Sequence, residues 1–151
     1  VEARRKGFDE DAADAERGRE VFKKNCSACH QLENVGEKVG PELAGIGVRG
    51  LDRILEDVLV PSRNVDATFR ATVIETEGGR VLQGLVTSEE GATVTIVDAE
   101  GKPTRVTTDE IVARERSALS PMPANVAEII NESEFYDLLA YLPQQRQQQT
   151  P

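Results

Sequence analysis

The chain has little apolar material for its length. Of its 151 residues 38% are hydrophobic and 4% aromatic, and tryptophan is absent. A domain of this size buries roughly 70% of the surface of its unfolded chain, so we expect a non-protein group to complete part of the core. Membrane insertion by this segment is not expected, because no run approaches the ~18–20 apolar residues of a membrane span.

Cysteine, histidine and methionine are also scarce, with two, one and one respectively. Two cysteines exclude a scaffold of several disulfides. Acidic residues outnumber basic ones 27 to 18, a formal charge of −9, so nucleic acid is not an expected partner. The chain begins at Val1 without a visible signal peptide, and we expect a processed form or a piece of a longer protein.

The first half of the chain alternates between helix and loop. Residues 1–13 are charged and are predicted to be a leader or linker. A helix is predicted from about Asp14, its cap, to Asn25. Glycines between 31 and 50 indicate a loop, and apolar residues at helical spacing predict a second helix over 51–59, which Pro61 ends.

Apolar residues then recur at every second position, which predicts an antiparallel β meander over about 67–113. Glu77–Arg80 contains Gly78 and Gly79 and is predicted to be a two-residue hairpin turn. Ser133 is predicted to cap the last helix, which ends before Pro143, and 144–151 is a glutamine-rich tail.

Cys26-Ser27-Ala28-Cys29-His30 is the C-x-x-C-H pattern of covalent haem attachment. Two thiols at this spacing can each bond one of the two vinyl groups on a porphyrin edge. The following imidazole can then bind the iron.

Three alternatives use the same residues. A structural zinc site usually takes four Cys or His ligands, and Cys26, Cys29 and His30 are the chain's only ones. A thioredoxin-like redox pair needs a βαβ setting, which the pattern does not indicate. The two cysteines could also form an ordinary disulfide. The pattern favours haem.

Met122 is the candidate for the second axial position. His30 is the only histidine of the sequence, so a second histidine ligand to the same iron cannot come from this chain. The only methionine lies between Pro121 and Pro123. A lone methionine is usually core filler, but a thioether suits haem iron and raises its reduction potential. We therefore predict His30 and Met122 as axial ligands.

These residues resemble a class I c-type cytochrome over roughly 14–143. Gly18 and Phe22 precede the attachment motif as in the family's first helix, where the glycine permits close crossing with the last helix, here at Leu138 and Tyr141. Gly40–Gly45 is similar to the family's G-P-x-L-x-G loop. The resemblance implies a mainly α cytochrome c fold, with three to four helices around one haem and an inserted antiparallel β meander.

The resemblance also implies roles for two further residues. The Pro41 carbonyl would accept a hydrogen bond from the free ring nitrogen of His30, and Arg49 would pair with a haem propionate, its alternative being a solvated surface charge. The insertion departs from simple members and resembles the haem-binding domain of planctomycete-type secreted dehydrogenases. It could cover the haem edge, dock a partner or only add stability.

The expected function is one-electron transfer by one covalent haem c, not catalysis. The expected partner is a redox protein or a fused dehydrogenase domain. Because haem is attached to such motifs outside the cytoplasm, the family implies a periplasmic or exported protein. The alternative is a haem-based sensor whose sixth iron position is open or displaceable.

Overall fold

A computed structural model describes residues 1–146 and divides the chain into two units. The first unit comprises Val1–Val60 and the chain from Ala124 onward, and the second comprises Pro61–Pro123. Gln144 closes a short 3-10 turn at Leu142–Gln144. The rest of the predicted glutamine-rich tail, from residue 147, lies outside the described residues.

The prediction of a mainly α cytochrome c fold is wrong. Residues 1–146 are 36% helical and 23% strand, and the strands among them form one five-stranded antiparallel sheet. Residues predicted to be an elaboration of a helical domain instead build a second unit with its own core of Ile74, Val94, Ile96 and Val106. The protein thus has two hydrophobic cores, one among the helices and one in the sheet, where the resemblance implied a single helical core.

Within the described residues of the first unit there are five helices. They are α1 (Glu2–Gly7), α2 (Ala15–Asn25), α3 (Leu51–Leu59), α4 (Val126–Ile129) and α5 (Glu132–Tyr141). The predictions of α2 and α3 are confirmed, and the Asp14 side chain caps α2 by accepting from the Arg17 amide. The loop between them contains a 3-10 turn at Ile46–Arg49.

The predicted cap of the last helix is wrong. Asn131, not Ser133, caps α5: its side chain accepts from the Glu134 amide, and the Glu134 carboxylate accepts from the Asn131 amide. This reciprocal pair satisfies two donors of the first turn, which Ser133 cannot do from inside the helix.

Helices α2 and α5 cross in close contact. A Cβ on Gly18 would lie 2.0 Å from the Asp137 carbonyl oxygen and 2.8 Å from the Tyr141 Cβ. Tyr141 is a predicted neighbour of Gly18, whereas Asp137 is not. The apolar residues around this crossing are almost fully buried: Phe22, Ile54, Leu55, Phe135, Leu138 and Leu139.

The charged segment before α2 is tied to the other helices. Arg4 forms an ion pair with Glu132 at 2.9 Å, and Arg5 pairs with Asp52. The ring of Phe8 lies 6.1 Å from that of Tyr136, between centroids. The charged residues of this segment thus form ion pairs with α3 and α5.

The second unit contains strands β1 (Thr72–Thr76), β2 (Val81–Glu90), β3 (Thr93–Val97), β4 (Pro103–Thr107) and β5 (Ile111–Arg116), in the order β4-β3-β2-β1-β5. The first half of β2 pairs with β1 and its second half with β3, with a register shift between Val86 and Ser88. β5 returns to pair with β1, so the sheet is not a simple meander.

The hairpin between β1 and β2 differs by one residue from the predicted turn. The Thr76 amide donates to the Arg80 carbonyl at 2.9 Å, so three residues, Glu77–Gly79, form the loop. Only Gly79 has a positive φ, +80°. One left-handed residue at the last position is typical of a three-residue hairpin loop. A two-residue turn of type I′ would need positive φ at both of its central residues.

Candidate functional site

The attachment motif continues helix α2 by one further turn. The amides of Cys26 and Ser27 both donate to the Phe22 carbonyl, at 2.8 and 3.1 Å. The amides of Cys29 and His30 both donate to the Cys26 carbonyl, at 3.1 and 2.9 Å. Cys26, Cys29 and His30 therefore extend from a single hydrogen-bonded turn.

The imidazole of His30 is held through its Nδ1 atom, which lies 2.7 Å from the Pro41 carbonyl oxygen. A carbonyl can only accept, so Nδ1 carries the proton and Nε2 keeps its lone pair. Burial lowers the pKa of His30, and the hydrogen bond to Pro41 opposes this only in part. The net shift lowers the pKa of His30 from its ordinary value, so the ring is mainly neutral at pH 7, the form in which imidazole binds metals.

The loop that supplies Pro41 lies against the motif. The amides of Glu37, Val39 and Gly40 donate to the carbonyls of Ser27 or Cys29, at 2.6–3.1 Å. A Cβ on Gly40 would lie 2.9 Å from the His30 Cε1 atom. Gly40 therefore allows the loop to contact the imidazole edge closely.

The two cysteines are thiols rather than a disulfide. Burial raises the pKa of Cys26 to about 12, with a smaller contribution from the nearby Cys29. A thioredoxin-like pair requires the opposite shift, since a low pKa makes the thiolate reactive. The electrostatics therefore disfavour the redox-pair alternative.

A second contact network holds the turn that follows His30. Glu33 and Asn34 both have positive φ, and Leu32 and Val35 exchange two backbone hydrogen bonds around them. The Glu33 carboxylate accepts from the Tyr141 hydroxyl and from Arg19 Nε, both at 2.9 Å. These hydrogen bonds, that of Tyr141 first, lower the pKa of Glu33. The turn is thereby connected to α2 and α5.

Asp137 supports the helix that carries the motif. It is buried, at 4% exposure, and its carboxylate accepts from the Asp14 amide at 2.7 Å and from Arg17 Nε at 2.8 Å. Sequence reasoning missed this contact and the Glu33 network. The available signal was an acidic residue at position 137 within the apolar stripe of the last helix.

Arg49 lies at the end of the 3-10 turn in the first unit. Its Nη1 atom donates to Asp57 at 2.9 Å, and Arg53 Nε donates to the other oxygen of the same carboxylate, also at 2.9 Å. The Arg49 side chain is about half exposed. The structure thus places this predicted site residue in an ion-pair cluster with α3.

Met122 belongs to the second unit. It is partly buried, and its amide donates to the Ser120 hydroxyl at 3.1 Å. The structure therefore brings Cys26, Cys29, His30 and Pro41 together within the first unit. Met122 lies in the second unit, on a loop that is held by its own internal hydrogen bond to Ser120.

The residues of the first unit fit a covalently attached haem. Two thiols and an imidazole extend from one turn, and the imidazole is already in the tautomer that leaves Nε2 for iron. This donor set defines a haem-binding protein of the c type.

A model of the cytochrome c family matches residues 15–95, more than half of the chain. The chain therefore belongs to the cytochrome c family. It binds haem c, which contains iron, covalently. Its function is electron transfer by the haem, in interaction with a redox partner. A comparison with curated proteins finds no match.

The matched region contains Cys26, Cys29, His30, Pro41 and Arg49 and ends before Met122. No helix within residues 1–146 is long and apolar enough to cross a membrane.

Proposed function

We propose that the protein is a one-electron carrier with a single haem c. Cys26 and Cys29 form the thioether bonds, and His30 and Met122 are the axial ligands. The observation that carries this proposal is the 2.7 Å contact between His30 Nδ1 and the Pro41 carbonyl oxygen, directly beside the two thiols. When bound, haem iron supplies reversible one-electron oxidation and reduction.

His30 and Pro41 act together in this proposal. The carbonyl of Pro41 fixes the orientation of the imidazole and makes it a more electron-rich ligand. Gly40 keeps the loop close enough for this contact, because any side chain there would meet the ring.

Met122 completes the ligand set. It is the only methionine of the chain, and the rings of Pro121 and Pro123 fix φ on either side of it. Its amide is held by Ser120. A stiff loop of this kind limits structural change between the two oxidation states, as an electron carrier requires.

Arg49 contacts a haem propionate in this proposal. The contact to Asp57 engages Nη1, and a guanidinium carries five N–H donors in all. One carboxylate therefore does not exhaust its capacity, and Asp57 holds the group in a defined orientation.

The proposed partner is a dehydrogenase, as a separate protein or a fused domain. Support comes from the resemblance to the haem-binding domains of planctomycete-type secreted dehydrogenases. By this resemblance, residues 14–143 of the present chain would be the cytochrome domain, and the sheet would be its insertion. A periplasmic or exported location follows from covalent haem attachment outside the cytoplasm.

Optical spectra of the haem-loaded protein test the ligand set. The ferric protein is expected to have a weak red charge-transfer band from sulfur ligation, and the reduced protein a sharp low-spin spectrum unchanged by carbon monoxide. Met122→Ala should lose the band and bind carbon monoxide. A high-spin spectrum of the unsubstituted protein that shifts with carbon monoxide would instead establish the sensor function.

A further inference from the structure

The segment before Met122 is attached to the sheet of the second unit. The Ser117 amide donates to the Ala71 carbonyl, and the Ala71 amide donates to the Leu119 carbonyl, both at 2.8 Å. These bonds extend the pairing of Thr72 with Arg116, where β1 meets β5. Ala71 is fully buried, so the sheet fixes the path of the chain to within three residues of Met122.

Two serines continue this attachment to Met122 itself. The Ser120 amide donates to the Ser62 hydroxyl oxygen at 3.0 Å, and the Met122 amide donates to the Ser120 hydroxyl oxygen at 3.1 Å. Pro121 and Pro123 have no amide hydrogen. The Met122 amide is therefore the only backbone donor among residues 121–123, and Ser120 accepts from it.

We propose that Ser62 and Ser120 are positioning residues for Met122, and that the inserted sheet serves as the anchor of the axial-ligand loop. This inference rests on the proposed function, in which Met122 is a ligand. A loop held in its binding conformation loses little entropy when its methionine binds, so the methionine competes better with exogenous ligands. Both serines would act through the backbone of residues 120–122 and not as iron ligands.

Removal of either hydroxyl should loosen the loop and ease displacement of the methionine. One hydrogen bond contributes ~1 kcal/mol net, so Ser120→Ala and Ser62→Ala should each bind exogenous imidazole about fivefold more tightly. Ser120→Thr keeps an oxygen at the same position and should restore the affinity of the unsubstituted protein. Ser88→Ala, on β2 of the same unit, is the matched control and should change nothing.

The test is an imidazole titration of the ferric, haem-loaded protein, followed by loss of the red charge-transfer band. Circular dichroism and haem content confirm that each variant is folded. The inference is supported if both alanine variants bind imidazole more tightly while Ser120→Thr and Ser88→Ala do not. It is overturned if the alanine variants match the unsubstituted protein, or if Ser88→Ala shifts the affinity equally.

The remaining outcomes separate the inference from the proposed function. If Ser120→Ala fails to hold haem, Ser62→Ala carries the test, because it leaves residues 120–122 unaltered. If the unsubstituted protein lacks the charge-transfer band, the proposed ligand set is wrong and the inference fails with it. A normal band together with unaltered imidazole binding overturns the inference alone.

Discussion

Gly18 on α2 faces the backbone of Asp137 on α5 so closely that a Cβ at position 18 would lie 2.0 Å from the Asp137 carbonyl oxygen. The obstacle is backbone and cannot rotate away. The two helices approach one another through this contact, and α2 leads directly into the attachment motif.

Gly18→Ala should therefore destabilise the protein. Separating the helices or straining the backbone costs about 1–3 kcal/mol in overpacked cores. Urea unfolding of the haem-loaded protein, followed by circular dichroism, measures the loss. Gly45→Ala is the control, because a Cβ there meets nothing within 4 Å and the backbone φ is −107°. Equal stability of the two variants would contradict the close crossing.

The pairing of Asp137 with Arg17 should make stability depend on acidic pH. The Arg17 hydrogen bond holds the pKa of the Asp137 carboxyl below its ordinary value. A lowered folded-state pKa contributes stability above the unfolded value of about 3.9, and this stability is lost as the pH falls through the folded value.

Asp137→Asn should accordingly be less stable than the unsubstituted protein at pH 6, and the difference should shrink below about pH 4. Thermal unfolding at a series of pH values provides the comparison. A difference that stays constant across this range would show that the charge of Asp137 is not the source of its effect.

Gly40→Ala should disturb the proximal ligand without removing it. The added Cβ would lie 2.9 Å from His30 Cε1, so the ring must move and its contact with Pro41 must weaken. A less basic imidazole stabilises the oxidised iron less, and the reduction potential should rise. Spectroelectrochemical titration measures the shift, again with Gly45→Ala as the control. An unchanged potential would argue that the loop yields instead of the ring.

Cys26→Ser with Cys29→Ser should abolish covalent attachment. Both thiols extend from the turn that also carries His30, so each is placed to bond the same porphyrin. Mass spectrometry of the denatured protein should show one haem on the unsubstituted chain and none on the double variant. Each single variant should keep one bond and retain the added mass. Haem retained by the denatured double variant would disprove the assigned attachment.

Local signals in the sequence predicted α2, α3 and the attachment motif. Asp14 caps the helix that follows it, and Pro61 lies just beyond the end of α3. The sequence also predicts the position of the turn before β2, but with a loop one residue too short. Two adjacent glycines favour a two-residue loop, whereas in the structure only Gly79 of the pair has positive φ.

Contacts between distant residues could not be read in the same way. β5 pairs with β1 across the whole inserted segment, and no hairpin signal records that return. The Arg17–Asp137 and Ser62–Ser120 contacts join residues 120 and 58 positions apart. Polar pairs of this kind depend on how elements pack, so the sequence shows the residues but not their partners.

The hydrogen bond between Ser120 and Ser62 brings the entry and exit of the second unit to the same place. A flexible loop of about 60 residues would cost its host roughly 3–4 kcal/mol in length-dependent closure entropy. A folded segment whose ends already meet carries that cost within its own folding. Residues between these two serines could therefore be inserted or removed without changing the distance that the flanking chain must bridge.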